Sequence, residues 1–295
     1  MKKARIILLA IVCSILASCG TTNTVPITGR KQSLLVSDEQ VLSLSNEQYT
    51  AYMKTAKASA NATNTAMVKR VGQNLATAVV SYLKNNGMGS EVSQYQWEFN
   101  LVQDQNINAF CMPGGKIVVY EGLLPVTQDE ASLAIVLGHE IAHAVAKHSA
   151  ERLSNAYKQQ YGTQILTGVA AAAGVSSTWQ QIGQVAASLG GQVFTAGFSR
   201  KQESEADHLG LVFAAMAGYN PEVAVSFWQR MSSATGGGST SLLSDHPSDA
   251  QRISDIQGWM AEAKKYYTPP VTTTKKTTTT KKSSKTTTKK TTKKK

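Results

Sequence analysis

The stretch from Ala134 to Val145 narrows the fold more than any other part of the chain. It sets His139, Glu140 and His143 among Ala134, Ile135, Val136, Leu137, Gly138, Ile141, Ala142, Ala144 and Val145. Thr127-Gln128-Asp129-Glu130 reads as a capping box, so a helix is predicted from there to about His148. A helix apolar on nearly every side is a buried one. Polar groups carried into such a helix cost roughly several kcal/mol each unless something compensates them.

Two histidines four residues apart share a helix face, so both imidazoles can reach one ion. Glu140 lies one step round, where its carboxylate can take a proton from a water held by that ion without binding the metal itself. His-Glu-x-x-His is the zincin motif, and a zinc ion, one per chain, is the compensation expected here. Catalytic zinc takes three protein ligands and leaves a fourth position open. A metzincin would carry glycine at 146 and histidine at 149, but Ala146 and Ser149 stand there. His148 is expected to point away from the pair, as a solvated helix-end residue. The third ligand must come from farther along, and Glu203, Glu205, Asp207, His208 and His246 are the candidates. Glu203 and Asp207 share one face of a predicted helix over 200–216. One of them can bind zinc while the other fixes an imidazole tautomer, and spacing does not choose between them.

The rest of the chain supplies helices and a few strands. Ser37-Asp38-Glu39-Gln40 caps a helix, and a second runs from about Asn64 to Lys84. Alternation at Trp97, Phe99 and Leu101, the run Ile117 to Tyr120, and an extended piece at Asn108-Ala109-Phe110 predict strands. Asn220-Pro221-Glu222 opens another helix, and the last begins after His246-Pro247. The expected class is α+β, mostly helical, with a small sheet beside the His-Glu-x-x-His helix.

The net charge of +11 looks like that of a nucleic-acid binder until it is placed along the sequence. Ten lysines lie in 268–295 and three basic residues in the first five positions, which leaves 17 basic against 19 acidic residues in 20–267. A basic nucleic-acid-binding domain is excluded. The 28-residue Lys/Thr-rich tail has nothing to bury, so it is expected to be disordered and, at most, to touch anionic surfaces. Lys2, Lys3 and Arg5 precede an apolar run from Ile6 to Leu16, which suits a signal-peptide core and is too short to span a bilayer. Residues 1–18 are read as this leader, Cys19 as the lipidated first residue, 19–36 as a tether and 37–267 as the catalytic domain. Cys111 is then the only thiol left, and no internal disulfide can form.

His139-Glu140-x-x-His143, Ser199 to Asp207, His246-Pro247, Arg252-Ile253, Thr28-Gly29-Arg30-Lys31-Gln32 and Asn108 to Gly115 together resemble the HtpX-like and CAAX-prenyl-protease-like zinc metallopeptidases, peptidase family M forty-eight. The likeness is greatest to their lipoprotein branch, the group of BepA and LoiP. The resemblance implies a gluzincin-type domain with Glu203 as third ligand and Asp207 as its outer partner. It also implies that His246 approaches the metal from a loop, activating or latching the site, and that Arg252 is a cation for transition-state charge. Asn108, Ala109 and Phe110 would lie on the strand that pairs with an extended substrate backbone.

The expected function is a zinc-dependent endopeptidase of the bacterial cell envelope that degrades misfolded or misassembled envelope proteins by attack of a zinc-held water. The alternative is a chaperone-like assembly factor with latent protease activity. Membrane contact is expected through the lipid anchor. Gly20, standing where enteric bacteria place a retention aspartate, favours the outer membrane facing the periplasm.

Overall fold

The computed structural model describes residues 21–166, 174–189, 194, 197–235 and 249–269. An antiparallel hairpin opens it, β1 (Thr21–Thr24) and β2 (Lys31–Leu34), joined through left-handed Ile27 and Gly29. Helices α1 (Asp38–Thr55) and α2 (Ala62–Asn85) follow. Next come β3 (Glu98–Val102), β4 (Ala109–Met112) and β5 (Lys116–Tyr120), in the spatial order β3-β5-β4, with β3 parallel and β4 antiparallel to β5. The turn of helix α3 (Leu124–Thr127) leads to α4 (Glu130–Val145), α5 (His148–Leu166) and α6 (Gly174–Ser188). Then α7 (Arg200–Met216), α8 (Val223–Thr235) and α9 (Asp249–Tyr266) complete an α+β, mainly helical fold of the gluzincin type.

Alternation along the sheet divides the interior. Phe99, Leu101, Ile117 and Val119 face the larger core with α2, α4 and α7. Phe110, Met112 and Val118 face the smaller one, with Val41 of α1, Leu153 of α5 and Ile182 of α6. The His-Glu-x-x-His helix α4 therefore lies directly under the sheet, and all its residues from Ser132 to His143 are buried.

Two sequence expectations shift at the ends of α4. Its N-cap is Asp129, whose carboxylate accepts from the Ser132 amide at 2.7 Å, and Thr127 instead closes α3. At the other end the helix stops at Val145, and Lys147 takes a left-handed φ of 53°. That reversal starts a new helix at His148, so His148 is not the solvated end of α4. It is wholly buried.

The stretch expected as a tether folds onto the domain from Thr21 onward. Val25 lies in the larger core, Leu34 and Val36 lie in the smaller one, and the Leu35 amide donates to Ser154 Oγ at 2.9 Å. The leader, Cys19, His246 and nearly all of the Lys/Thr-rich tail fall outside the described residues. No described helix is long and apolar enough to cross a membrane.

Candidate metal centre

Helices α4 and α7 touch at two glycines. A Cβ on Gly138 would stand 2.6 Å from the Gly210 carbonyl oxygen, and one on Gly210 would stand 2.5 Å from the His139 amide nitrogen. This backbone contact brings the first half of α7 against the histidines. The α7 N-terminus is fixed by a capping box in which Ser199 accepts from the Gln202 amide and Gln202 reaches back to the Ser199 amide. Glu203 and Asp207, one turn apart, then face α4.

His139, His143 and Glu203 are buried and present ligand atoms that all lie within 4.8 Å of one another. The two Nε2 atoms are 3.0 Å apart, and Glu203 Oε2 and Oε1 lie 3.3 Å from His139 Nε2 and 3.6 Å from His143 Nε2. Both Nδ1 atoms are engaged elsewhere. His139 Nδ1 meets Asp207 Oδ1 at 2.9 Å, and His143 Nδ1 meets His148 Nδ1 at 2.9 Å. With His139 Nδ1 turned to the Asp207 carboxylate, both Nε2 atoms and Glu203 converge on one point, a donor arrangement that a cation would satisfy. Burial lowers the His139 pKa, but Asp207 and Glu203 outweigh it and raise it to about 10, whereas burial pushes His143 down to about 3. The nitrogen-plus-carboxylate donor set fits zinc.

Glu140 is buried beside these donors, and the Cys111 amide donates to its Oε2 at 3.1 Å. Burial raises its carboxyl to about 7, with the Glu203 charge adding to that effect and His139 opposing it. Burial also pushes the Cys111 thiol well up, so it is a poor nucleophile.

The other expected site residues are placed as follows. Asp207 bridges His139 to Arg252, whose Nε donates to Asp207 Oδ2 at 2.6 Å. Arg252 is buried, stacks on Trp228 with 3.8 Å from Cζ to the ring centroid, and has Nη2 3.7 Å from Glu203 Oε2. These contacts put its charge behind the carboxylates. His208 is elsewhere, stacked on Trp259 and bonded to Glu262 at 2.8 Å.

Among the described residues β4 has a strand neighbour on one side only. The Asn108 carbonyl accepts from the Tyr120 amide at 3.0 Å, and by ladder alternation Phe110 also turns its backbone to β5. Its ring is buried in the smaller core. Ala109 and Cys111 therefore carry the open-edge backbone groups, a one-residue shift from the expectation at Asn108 to Phe110.

Phe198 was not expected at the site, His148 was expected as a solvated helix end, and Glu205, a candidate ligand, takes an outer role instead. Phe198 stacks on His143 at 4.1 Å, and His148 joins His143 to Glu205, with Nε2 to Oε2 at 3.0 Å. Thr28-Gly29-Arg30-Lys31-Gln32 was the available signal, because its side chains end here. Thr28 and Arg30 bind Glu205, and Gln32 Nε2 donates to the Ala146 carbonyl at the end of α4.

Comparison with known proteins agrees with this geometry. Residues 62–260 match the description of Peptidase family M48. The chain is 38% identical over 177 residues to the mitochondrial metalloendopeptidase OMA1 of Schizosaccharomyces pombe, covering 59% of this chain and 50% of that protein. It is 32% identical over 247 residues to human OMA1, covering 81% of this chain and 46% of that protein. It is 29% identical over 233 residues to the metalloprotease LoiP of Escherichia coli, covering 78% and 84% respectively. The chain thus spans half or less of the length of the two OMA1 proteins. A family match over most of the chain, on residues that include both histidines, Glu140, Glu203, Asp207 and Arg252, makes this chain a member of Peptidase family M48.

Proposed function

We propose that the chain is a zinc-dependent endopeptidase of the bacterial cell envelope that cleaves misfolded or misassembled envelope polypeptides. The observation that carries the catalytic reading is the buried convergence of His139, His143 and Glu203 beside Glu140. His139, His143 and Glu203 would hold the zinc ion. When bound, it supplies a Lewis acid that polarises a scissile carbonyl and brings the pKa of water toward about 7.

The protein's own groups do the rest. The Cys111 amide fixes one oxygen of Glu140, which leaves the carboxylate oriented to take a proton from the attacking water and return it to the departing amine. Asp207, braced by Arg252, sets the His139 tautomer. The open edge of β4 offers the Ala109 backbone to an extended peptide, and main-chain pairing of that kind is weakly selective for sequence, as clearance of misfolded chains requires. His246 is assigned to the loop histidine role, steadying the oxyanion or latching the site.

The envelope assignment is supported by the leader-like run from Ile6 to Leu16 and by Cys19 after it, which would carry the lipid anchor. Outer-membrane placement facing the periplasm rests on Gly20. The Lys/Thr tail would meet anionic headgroups or wall polymers.

The test is casein cleavage by the zinc-loaded protein with and without chelator, beside Glu140→Gln. The substitution should keep stoichiometric zinc and lower turnover by about 10²–10⁴-fold. A Glu140→Gln protein that cleaves at the wild-type rate removes Glu140 from the chemistry, and a wild-type protein that binds no zinc removes the whole reading.

A further inference from the structure

A chain of hydrogen bonds leads from the turn of the N-terminal hairpin to the back of His143. Thr28 Oγ1 donates to Glu205 Oε1 at 2.6 Å, and Arg30 Nε donates to Glu205 Oε2 at 2.7 Å. Glu205 Oε2 lies 3.0 Å from His148 Nε2, and His148 Nδ1 lies 2.9 Å from His143 Nδ1. Arg30 is itself clamped, its Nη1 and Nη2 bonding Glu151 at 2.7 and 3.0 Å, while Gln202 Nε2 holds the same carboxylate at 2.8 Å. His148 is completely buried, and Glu205 is nearly so.

The bond directions in this chain follow from valence once complete burial has excluded a charged His148 imidazole. Glu205 accepts from a hydroxyl and a guanidinium, so it faces His148 Nε2 as an acceptor, and His148 must carry its proton on Nε2. His148 Nδ1 is then a lone pair, and the Nδ1 of His143 must donate to it. His143 is left with a bare Nε2, the atom that faces His139 Nε2 and Glu203. The opposite assignment would set an unprotonated His148 Nε2 against a carboxylate oxygen at 3.0 Å, two lone pairs with nothing between them.

We propose that Thr28, Arg30, Glu205 and His148 are positioning residues that lock His143 in its metal-binding tautomer, so that the N-terminal hairpin is a working part of the metal centre. This rests on the metallopeptidase reading above. It gives His143 an outer carboxylate reached through a second imidazole, as Asp207 serves His139 directly. Outer partners of metal-bound histidine are worth roughly 10–100-fold in metal affinity. The coupling joins residues some 120 to 180 positions apart in the sequence, so the segment between the expected lipidation site and the domain bears on metal retention.

The measurement is zinc affinity by competition with a chromophoric chelator for the full chain and for His148→Phe, Glu205→Gln, Thr28→Val, Thr28→Ser and His139→Ala. Circular dichroism of the metal-free forms accompanies each titration. His148→Phe and Glu205→Gln should each weaken zinc by about 10–100-fold, and together by no more than the stronger single change, because either one breaks the same chain. Thr28→Val should weaken zinc less, and Thr28→Ser should restore it. Proton-detected ¹⁵N spectra of the zinc form should place the His143 proton on Nδ1 in the wild type and lose that fixed assignment in His148→Phe.

A His148→Phe protein with native dichroism and unchanged zinc affinity overturns the proposal. So does a loss of folding in both His148→Phe and Glu205→Gln accompanied by equal zinc affinities for Thr28→Val and Thr28→Ser. The two readings fail separately: no zinc on the wild type, or wild-type affinity in His139→Ala, sinks the metallopeptidase assignment, while normal zinc in every relay variant sinks only the relay.

Discussion

Single atoms set the tolerance of this site. Gly210 has no room for a methyl group, because a Cβ there would lie 2.5 Å from the His139 amide nitrogen and α4 would have to part from α7. Gly210→Ala should lose about 1–3 kcal/mol in denaturant unfolding and bind zinc more weakly, since Glu203 travels with α7. Gly162, in α5, has open space around its Cβ position. Gly162→Ala should therefore gain about 0.5–1 kcal/mol in the same assay, and a loss there would mean that glycine spacing says nothing about these helices. Glu205 makes a pH prediction at the same scale. Burial raises its pKa, but the bonds from His148, Thr28 and Arg30 outweigh that and hold it down to about 2. A carboxyl with a depressed native pKa contributes stability that is present above its ordinary value of about 4.5 and lost as pH falls toward 2. In the metal-free protein, thermal stability should drop across that window, and Glu205→Gln should flatten the drop.

Among the elements, α7 carries the most chemistry on the shortest lever, with Glu203 and Asp207 beginning four residues after the cap. Ser199→Ala removes the side chain that accepts from the Gln202 amide and should cost about 1 kcal/mol by chemical denaturation, with zinc affinity falling as the first turn frays. The box at Ser199 emerges only in the structure and the one expected at Thr127 gives way to an Asp129 cap, but the capping box at Ser37 was legible in the sequence because its four residues are neighbours and the bonding is local. The C-terminal end of α4 was not. Apolar periodicity continues past Val145, and only the left-handed Lys147, tied by Nζ to Asp38 at 2.8 Å, turns the chain back. A contact with α1 more than a hundred residues away holds Lys147 where that helix stops, and His148, first residue of the next helix, meets His143 and not water.

At the scale of the molecule, the proposed zinc site predicts that stability depends on metal. Zinc that binds the native state alone adds about 2.7 kcal/mol at a hundredfold excess over its Kd and about 4.1 at a thousandfold. The melting temperature should therefore rise with zinc and fall with chelator, and His143→Ala should be insensitive to both. The hairpin makes a second prediction. A fragment beginning at residue 37 loses Val25, Leu34 and Val36 from the two cores together with the Glu205 partners, so it should melt lower and hold zinc more weakly than one beginning at residue 20. Equal melting and affinity would show that the hairpin is a passive spacer.

The amino-acid order alone determined the candidate metal pair and the candidate base, because His139, Glu140 and His143 owe their relation to one turn of one helix. It also determined most helices and strands, whose periodicities and caps are written within a few residues. It could not by itself choose Glu203 over Asp207 as the third ligand, since both lie on one face of α7 and only the packing of α7 on α4 sets Glu203 against the two Nε2 atoms and Asp207 against His139 Nδ1. Nor could it reveal that Thr28 and Arg30 end at Glu205, or that His148 stands behind His143. Those contacts join segments with no shared period, and they exist only where packing has already excluded water and every buried polar atom must find a partner from whatever part of the chain lies near.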